Sequence, residues 1–112
     1  MCLGPCVGSA LPRAPVGLQG SGVTASSVTL RWMPDTASLE PATSYVVQYR
    51  IEPDEEGGRR GRVMEKAGIV RPSYTVTNLK PFTRYSFQVL GVNSVGRSRP
   101  SRVITVTTGE IG

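Results

Sequence analysis

The stretch NLKPFTRYSFQVLGV, residues 78–92, decides the fold because a turn signal precedes the most regular alternation in the chain. Pro81 has a fixed backbone φ angle and no N–H donor, so it suits a turn rather than the middle of a sheet. After it, Tyr85, Phe87 and Val89 occupy every second position, the period of a strand with one face in a core. The stretch therefore predicts an elbow followed by a central strand.

The same period recurs along the rest of the chain. Val28, Leu30 and Trp32 alternate with polar residues on a second strand. Weaker extended pieces, separated by turn signals every eight to twelve residues, bring the total to seven short strands. No segment carries the 3.6-residue apolar stripe of a helix. The pattern predicts an all-β antiparallel sandwich, with strands after Val16 and within 28–32, 43–51, 63–70, 73–79, 85–91 and 101–108.

Length and composition limit the architecture to one domain. The chain has 112 residues and a mass of 12.0 kDa, and no run approaches the ~18 apolar residues of a membrane helix. Cys2 and Cys6 precede every periodic segment, so they cannot staple the fold. We expect a disordered leader or cloning remnant over 1–13, the domain over 14–109 and a tail over 110–112.

Particular residues in this pattern resemble the fibronectin type III family over about residues 14–109. The second half carries Leu79, Pro81, Thr83, Tyr85, Phe87, Val89, Asn93, Gly96, Ser98 and Pro100, and the first half carries Pro15 to Leu18, Trp32, Tyr45 and Tyr49. The resemblance implies an immunoglobulin-like seven-stranded antiparallel sandwich. Its tyrosine corner, a hydroxyl bonded to upstream backbone, would belong to Tyr85. The implied structural core consists of Trp32, Tyr45, Tyr49, Leu79, Pro81, Tyr85, Phe87 and Val89.

Catalysis and metal binding find no support in the sequence. The chain has no histidine, which removes the commonest general base and the usual zinc ligand. The glycines near residue 58 lack the Gly-Lys-Ser/Thr of a phosphate loop. Four acids lie on a glycine-rich loop and are interpreted as solvated charge rather than a calcium or catalytic site: Glu52, Asp54, Glu55 and Glu56. We predict a non-enzyme with no catalytic residue, metal or cofactor.

The charge balance favours an acidic partner only weakly. The formal net charge is +5, from 13 basic and 8 acidic residues, and a scattered basic surface is the simplest interpretation. Arginine can nevertheless bind carboxylates, phosphates and sulfates through two parallel hydrogen bonds. Candidate partner or polyanion contacts form two clusters, Arg59, Arg60, Arg62 and Lys66, and Arg97, Arg99 and Arg102.

The resemblance implies a binding and spacing module of a multidomain cell-surface receptor or adhesion protein, in its extracellular part. Its partners would be proteins that contact loops or a sheet face, with loops 52–62 and 93–99 the candidates. One alternative is a module that binds heparin-like polyanions. Another is a repeat of an intracellular cytoskeletal or scaffold protein, which would be cytoplasmic. We expect no nucleic-acid binding, because the tyrosines fall on inward positions, no direct membrane insertion, and a monomeric isolated domain.

Overall fold

The computed structural model describes residues 10–34, 38, 40–53 and 57–110. Cys2 and Cys6, with most of the predicted leader, lie outside these ranges, as do three of the four loop acids, Asp54, Glu55 and Glu56. The described backbone forms seven strands. They are β1 (Gln19–Ser21), β2 (Val28–Arg31), β3 (Ser44–Ile51), β4 (Met64–Ile69), β5 (Ser73–Val76), β6 (Arg84–Val92) and β7 (Ile104–Thr107).

The strands form two sheets, and every strand pair is antiparallel. One sheet has the order β1-β2-β5 and the other has the order β4-β3-β6-β7. The longest pairing joins β3 and β6 and places Tyr49 opposite Phe87. Alternate side chains of the two sheets meet in one core, so the prediction of an all-β, seven-stranded antiparallel sandwich is confirmed.

The core follows from the period-two pattern. Val28, Leu30, Val47 and Val89 are fully buried, because each lies on the inward face of its strand. Aromatic rings fill the space between these smaller side chains, with Tyr49 and Phe87 stacked at 5.9 Å between ring centroids.

Trp32 packs in the same core, just beyond the end of β2 at Arg31 rather than on the strand as predicted. Its ring meets the ring of Tyr45 edge-on, with a centroid separation of 5.3 Å. The buried indole N–H has no hydrogen-bond acceptor among the described residues. Trp32 therefore contributes to stability through its apolar area and ring contact.

Pro81 was predicted to be a core residue and is instead exposed. It lies in the turn between β5 and β6, and its carbonyl accepts a 2.9 Å hydrogen bond from the Thr83 hydroxyl. Pro81 can be exposed because it shapes this turn through its fixed φ angle and needs no contact with the core. The other predicted core residues are buried.

The turn before β6 is held by two side-chain hydroxyls. The Tyr85 hydroxyl accepts a 2.8 Å hydrogen bond from the backbone N–H of Lys80, which is the tyrosine corner predicted from the sequence. Thr108, on the other side of the turn, donates to the Lys80 carbonyl at 2.6 Å and accepts from the N–H of Thr83 at 2.9 Å. The connection between the two sheets is thereby tied to the last strand as well as to β6.

The two ends of the described chain lie at opposite poles of the sandwich. The side-chain amide of Asn93, at the end of β6, donates to the Ala10 carbonyl at 2.8 Å. Gly109, beyond β7, donates to the Thr24 carbonyl at 2.9 Å and accepts from the Phe82 N–H at 2.9 Å. Ala10 is thus bonded to the sandwich although it precedes residue 14, the predicted start of the domain.

Candidate interaction surfaces

The outward face of the four-stranded sheet carries an open groove of about 290 Å³. Its polar floor comes from β3 and β6, where the Gln88 side chain donates to that of Gln48 at 2.7 Å. Val63 and Val103 line it as well, 48% and 49% exposed. The groove thus lies between the loop that follows β3 and the segment that precedes β7.

Glu52 organises the charges at one end of this groove. Its carboxylate accepts hydrogen bonds from Arg60 at 2.8 and 3.1 Å and from the Ser86 hydroxyl at 2.7 Å, and the Arg50 guanidinium lies 3.5 Å away. The Arg60 guanidinium and then the Ser86 hydroxyl lower the pKa of Glu52. The side chain is only 13% exposed, so our interpretation of Glu52 as free, solvated loop charge was wrong. The sequence does not predict this arrangement, because the Ser86 hydroxyl comes from β6 and nothing in the loop sequence distinguishes Arg60 from Arg59 as the partner of Glu52.

A second ion pair crosses the same face nearer the other pole. Arg97 donates two 2.9 Å hydrogen bonds to the carboxylate of Glu65 on β4, which also accepts from Gln48 at 3.0 Å. Arg97 forms an isolated β-bridge with Val92 at the end of β6. Because β3 lies between β6 and β4, the ion pair between Arg97 and Glu65 crosses β3. The hydrogen bonds from Arg97, and then the one from Gln48, lower the pKa of Glu65 to about 2.

The predicted arginine clusters therefore divide into paired and unpaired side chains. Arg60 and Arg97 are bound to carboxylates on the sheet. The other five cations are exposed and have no ion pair within the described ranges: Arg59, Arg62, Lys66, Arg99 and Arg102. Arg60 of the first cluster lines the same groove as Val103, the neighbour of Arg102 in the second cluster. Arg97 of the second cluster binds Glu65, the neighbour of Lys66 in the first. The fold therefore brings the two clusters towards one another.

The predicted contact loop 93–99 is a tightly bonded turn. The Asn93 side-chain oxygen accepts from the N–H groups of Val95 and Gly96 at 2.9 and 3.2 Å, and its nitrogen donates to the Glu40 carbonyl at 3.0 Å. Asn93 is 8% exposed, so it shapes the turn rather than contacting a partner. An asparagine three residues before a glycine was the available signal, since its side chain can bond the backbone two residues on.

An apolar cleft of about 260 Å³ opens between the sheets near the pole of Gly109. Leu79, Tyr85 and Met64 are among its lining residues, with Arg62 and Lys80 beside them. Tyr49 lies at its base, where burial raises the pKa of the phenol. This cleft was not predicted, because it forms where a turn of one sheet approaches the edge of the other.

The described residues hold neither a metal-binding cluster nor a membrane-spanning helix. They contain no group of three or more histidine, cysteine, aspartate or glutamate residues placed to hold a metal ion. Within the same part of the chain, no helix is long and apolar enough to cross a membrane.

The topology and the elbow define a class of protein, the immunoglobulin-like antiparallel sandwich with a tyrosine corner. The family model described as "Fibronectin type III domain" matches residues 13–107. The chain belongs to the fibronectin type III family. Such a domain is a non-catalytic module, so this domain is not an enzyme.

Curated relatives are receptors and adhesion molecules. The chain is 42% identical to human receptor-type tyrosine-protein phosphatase F over 101 residues, which cover 90% of this chain and 5% of that protein. It is 40% identical to Drosophila melanogaster tyrosine-protein phosphatase Lar (89% and 5%) and 34% identical to Gallus gallus neuronal cell adhesion molecule (87% and 7%). The chain thus spans only about a twentieth of the phosphatases that it matches.

Solved structures show the same fold. The FN5 domain of Drosophila Lar matches with a TM-score of 0.72 at 21% identity, covering 88% of this chain and 98% of that one. The FN1–FN3 domains of chicken CNTN1 match with a TM-score of 0.73 at 25% identity, covering 88% of this chain and 33% of that one. In that structure, a domain like this one belongs to a chain of three FN domains.

Proposed function

We propose that this domain is a binding and spacing module in the extracellular part of a cell-surface receptor or adhesion protein. The observation that carries the proposal is the match over 87–90% of the chain to receptor phosphatases and to an adhesion molecule. The positions of Ala10 and Gly109 at opposite poles add a geometric argument. A sandwich that the chain enters at one pole and leaves at the other sets the distance between its neighbours.

Partner binding is assigned to the outward face of β4-β3-β6-β7. Its groove combines hydrogen-bonding side chains, such as Gln48 and Gln88, with the exposed apolar Val63 and Val103. Transient protein interfaces are about as apolar as the rest of a protein surface, so this mixture of polar and apolar groups fits such an interface. Bonded side chains, among them Arg60, hold the groove in one shape before a partner arrives.

The location of the module is tested by labelling lysines on intact cells. The chain has two lysines, Lys66 and Lys80, and both are exposed. In the full-length protein, an amine-reactive reagent that cannot cross membranes should modify both in living cells. Labelling that appears only after the cells are lysed would contradict the proposal and favour the cytoplasmic scaffold alternative.

A second candidate function is binding of a heparin-like polyanion. Five exposed cations without an ion pair in the described ranges favour it, because their guanidinium and ammonium groups remain free for sulfate or carboxylate. Arg59 and Arg62 occupy one short segment. They are the residues to change first.

Heparin chromatography tests this candidate with a charge-matched control. The double variant Arg59→Ala, Arg62→Ala should elute at lower salt than the parent chain. The variant Arg31→Ala, Arg71→Ala removes the same charge from exposed positions on or beside the three-stranded sheet and should elute near the parent. Equal decreases in the eluting salt concentration for both variants would indicate attraction by net charge alone. An unchanged salt concentration for Arg59→Ala, Arg62→Ala would exclude this segment as the heparin-binding site.

A further inference from the structure

Phe82 is an exposed aromatic residue in a strained backbone conformation. Its side chain is 69% exposed, and its φ angle is +48°. Positive φ is uncommon outside glycine and is a genuine outlier for a bulky residue, whereas asparagine tolerates it. In the same region, before β6, a φ angle of +60° is adopted by Asn78, a residue type that tolerates it.

The hydrogen bonds that fix this turn do not involve the Phe82 ring. The backbone N–H of Phe82 donates to the Gly109 carbonyl, and the next N–H, of Thr83, donates to Thr108. A glycine or asparagine at position 82 would make the same backbone contact with less strain. Because the Phe82 ring is mostly in solvent, it contributes little to the stability of this domain. Strain that the fold does not need points to a functional contact.

The position of Phe82 indicates what it contacts. Gly109 is bonded both to Phe82 and to Thr24, the neighbour of Val23, which is 45% exposed. Two apolar side chains therefore belong to the turns that hold the last described residues. A polypeptide that continues from Glu110 begins within a few residues of this pole, because each residue spans at most ~3.6 Å.

We propose that Phe82, with Val23, is the docking surface for the module that follows Glu110 in the parent protein, and that this module presents an apolar side chain to it. The proposal rests on the proposed function as a spacing module. The matched receptors are about twenty times as long as the part they share with this chain, and one solved neighbour is a chain of three FN domains. Burying the ring against the next module would offset the strain and restrict the angle between the two.

The test compares the single chain with a two-module protein that includes the native segment after Glu110. Phe82→Asn should leave the melting temperature of the single chain unchanged or raise it, because asparagine relieves the strain. In the two-module protein the same change should lower the melting temperature by about 2–4 °C. Val70→Asn is the control, since Val70 is 73% exposed and lies between β4 and β5. It should affect both proteins equally.

Several results would overturn the proposal. A Phe82→Asn chain that folds but is less stable than the parent single chain would make the ring structural. If that variant does not fold, Val23→Ser measures the same surface and must weaken the two-module protein alone. An unchanged two-module protein, or a single chain that dimerises through Phe82 in sedimentation equilibrium, would also contradict it. Lysine labelling on intact cells is independent of these outcomes, so it separates failure of this contact from failure of the proposed function.

Discussion

At the scale of single residues, the link between the two sheets depends on hydroxyl groups as much as on apolar side chains. Tyr85 places its ring in the core and its hydroxyl 2.8 Å from the Lys80 N–H. The resemblance to the fibronectin type III family predicts this contact, because Pro81 and Tyr85 are among the residues that carry it. It does not predict Thr108, which reaches the same turn from 28 residues away.

The Tyr85 hydroxyl can be tested by removing only its oxygen. Tyr85→Phe should lower the free energy of unfolding by about 1 kcal/mol, because the Lys80 N–H loses its acceptor in a partly buried turn. Urea denaturation measures the difference. Tyr74→Phe is the matched control, since the Tyr74 hydroxyl makes no hydrogen bond within the described ranges, and it should change stability little. Equal stability of Tyr85→Phe and the parent chain would show that the bond contributes nothing.

At the scale of elements, β6 is the strand that organises the four-stranded sheet. It pairs with β3 along its length and with β7 over its first half. Along the second half of β6, two serine hydroxyls stand where the backbone of β7 would otherwise bond. Ser98 accepts from the N–H of Gly91 at 2.8 Å, and Ser101 accepts from the N–H of Val89 at 2.9 Å. Alternation in the sequence predicts the strand, but it carries no signal for side chains that replace a backbone partner.

Ser101 offers a test of this edge. Ser101→Ala should cost about 1–3 kcal/mol of unfolding free energy, because it leaves the buried N–H of Val89 without an acceptor. Hydrogen exchange of the Val89 amide should become faster at the same time. Ser94→Ala, at an exposed position of the adjacent turn, is the control and should have almost no effect. Unchanged exchange at Val89 would rule out the role assigned to Ser101.

The ion pair between Glu65 and Arg97 makes part of the stability of this sheet depend on pH. Because the folded protein lowers the pKa of Glu65 from 4.5 to about 2, the pair stabilises the fold above pH 4.5. This contribution should be lost as the pH falls towards 2.

Glu65→Gln removes the titrating group and should flatten the decline in melting temperature between pH 4.5 and 2. The decline that remains would include Glu52, whose pKa is also lowered. Glu110→Gln, where no ion pair exists in the described ranges, should decline as the parent chain does. If Glu65→Gln and the parent chain decline in parallel, the pair does not contribute in solution.

At the scale of the whole molecule, the sandwich separates Ala10 from Gly109, near the two ends of the described part of the chain. The fold class and the inward faces of the strands follow from period-two alternation, and the family follows from residues such as Trp32 and Tyr85. The outward surface is less predictable, because its polar contacts are completed only in the fold. Arg97 binds Glu65, 32 residues away in the sequence. Glu52 binds the nearby Arg60 but also accepts from the Ser86 hydroxyl of β6, 34 residues away. Arg60 and Arg97 are similar in sequence context to the unpaired Arg59 and Arg99, yet only the fold places carboxylates beside them.

The central claim, that this module spaces its neighbours, is tested most directly by small-angle X-ray scattering of the chain joined to its native flanking modules. The opposite positions of Ala10 and Gly109 predict that the maximum dimension increases by about one module length with each module added. A maximum dimension that stays near that of a single module, as in a chain folded back on itself, would contradict the account.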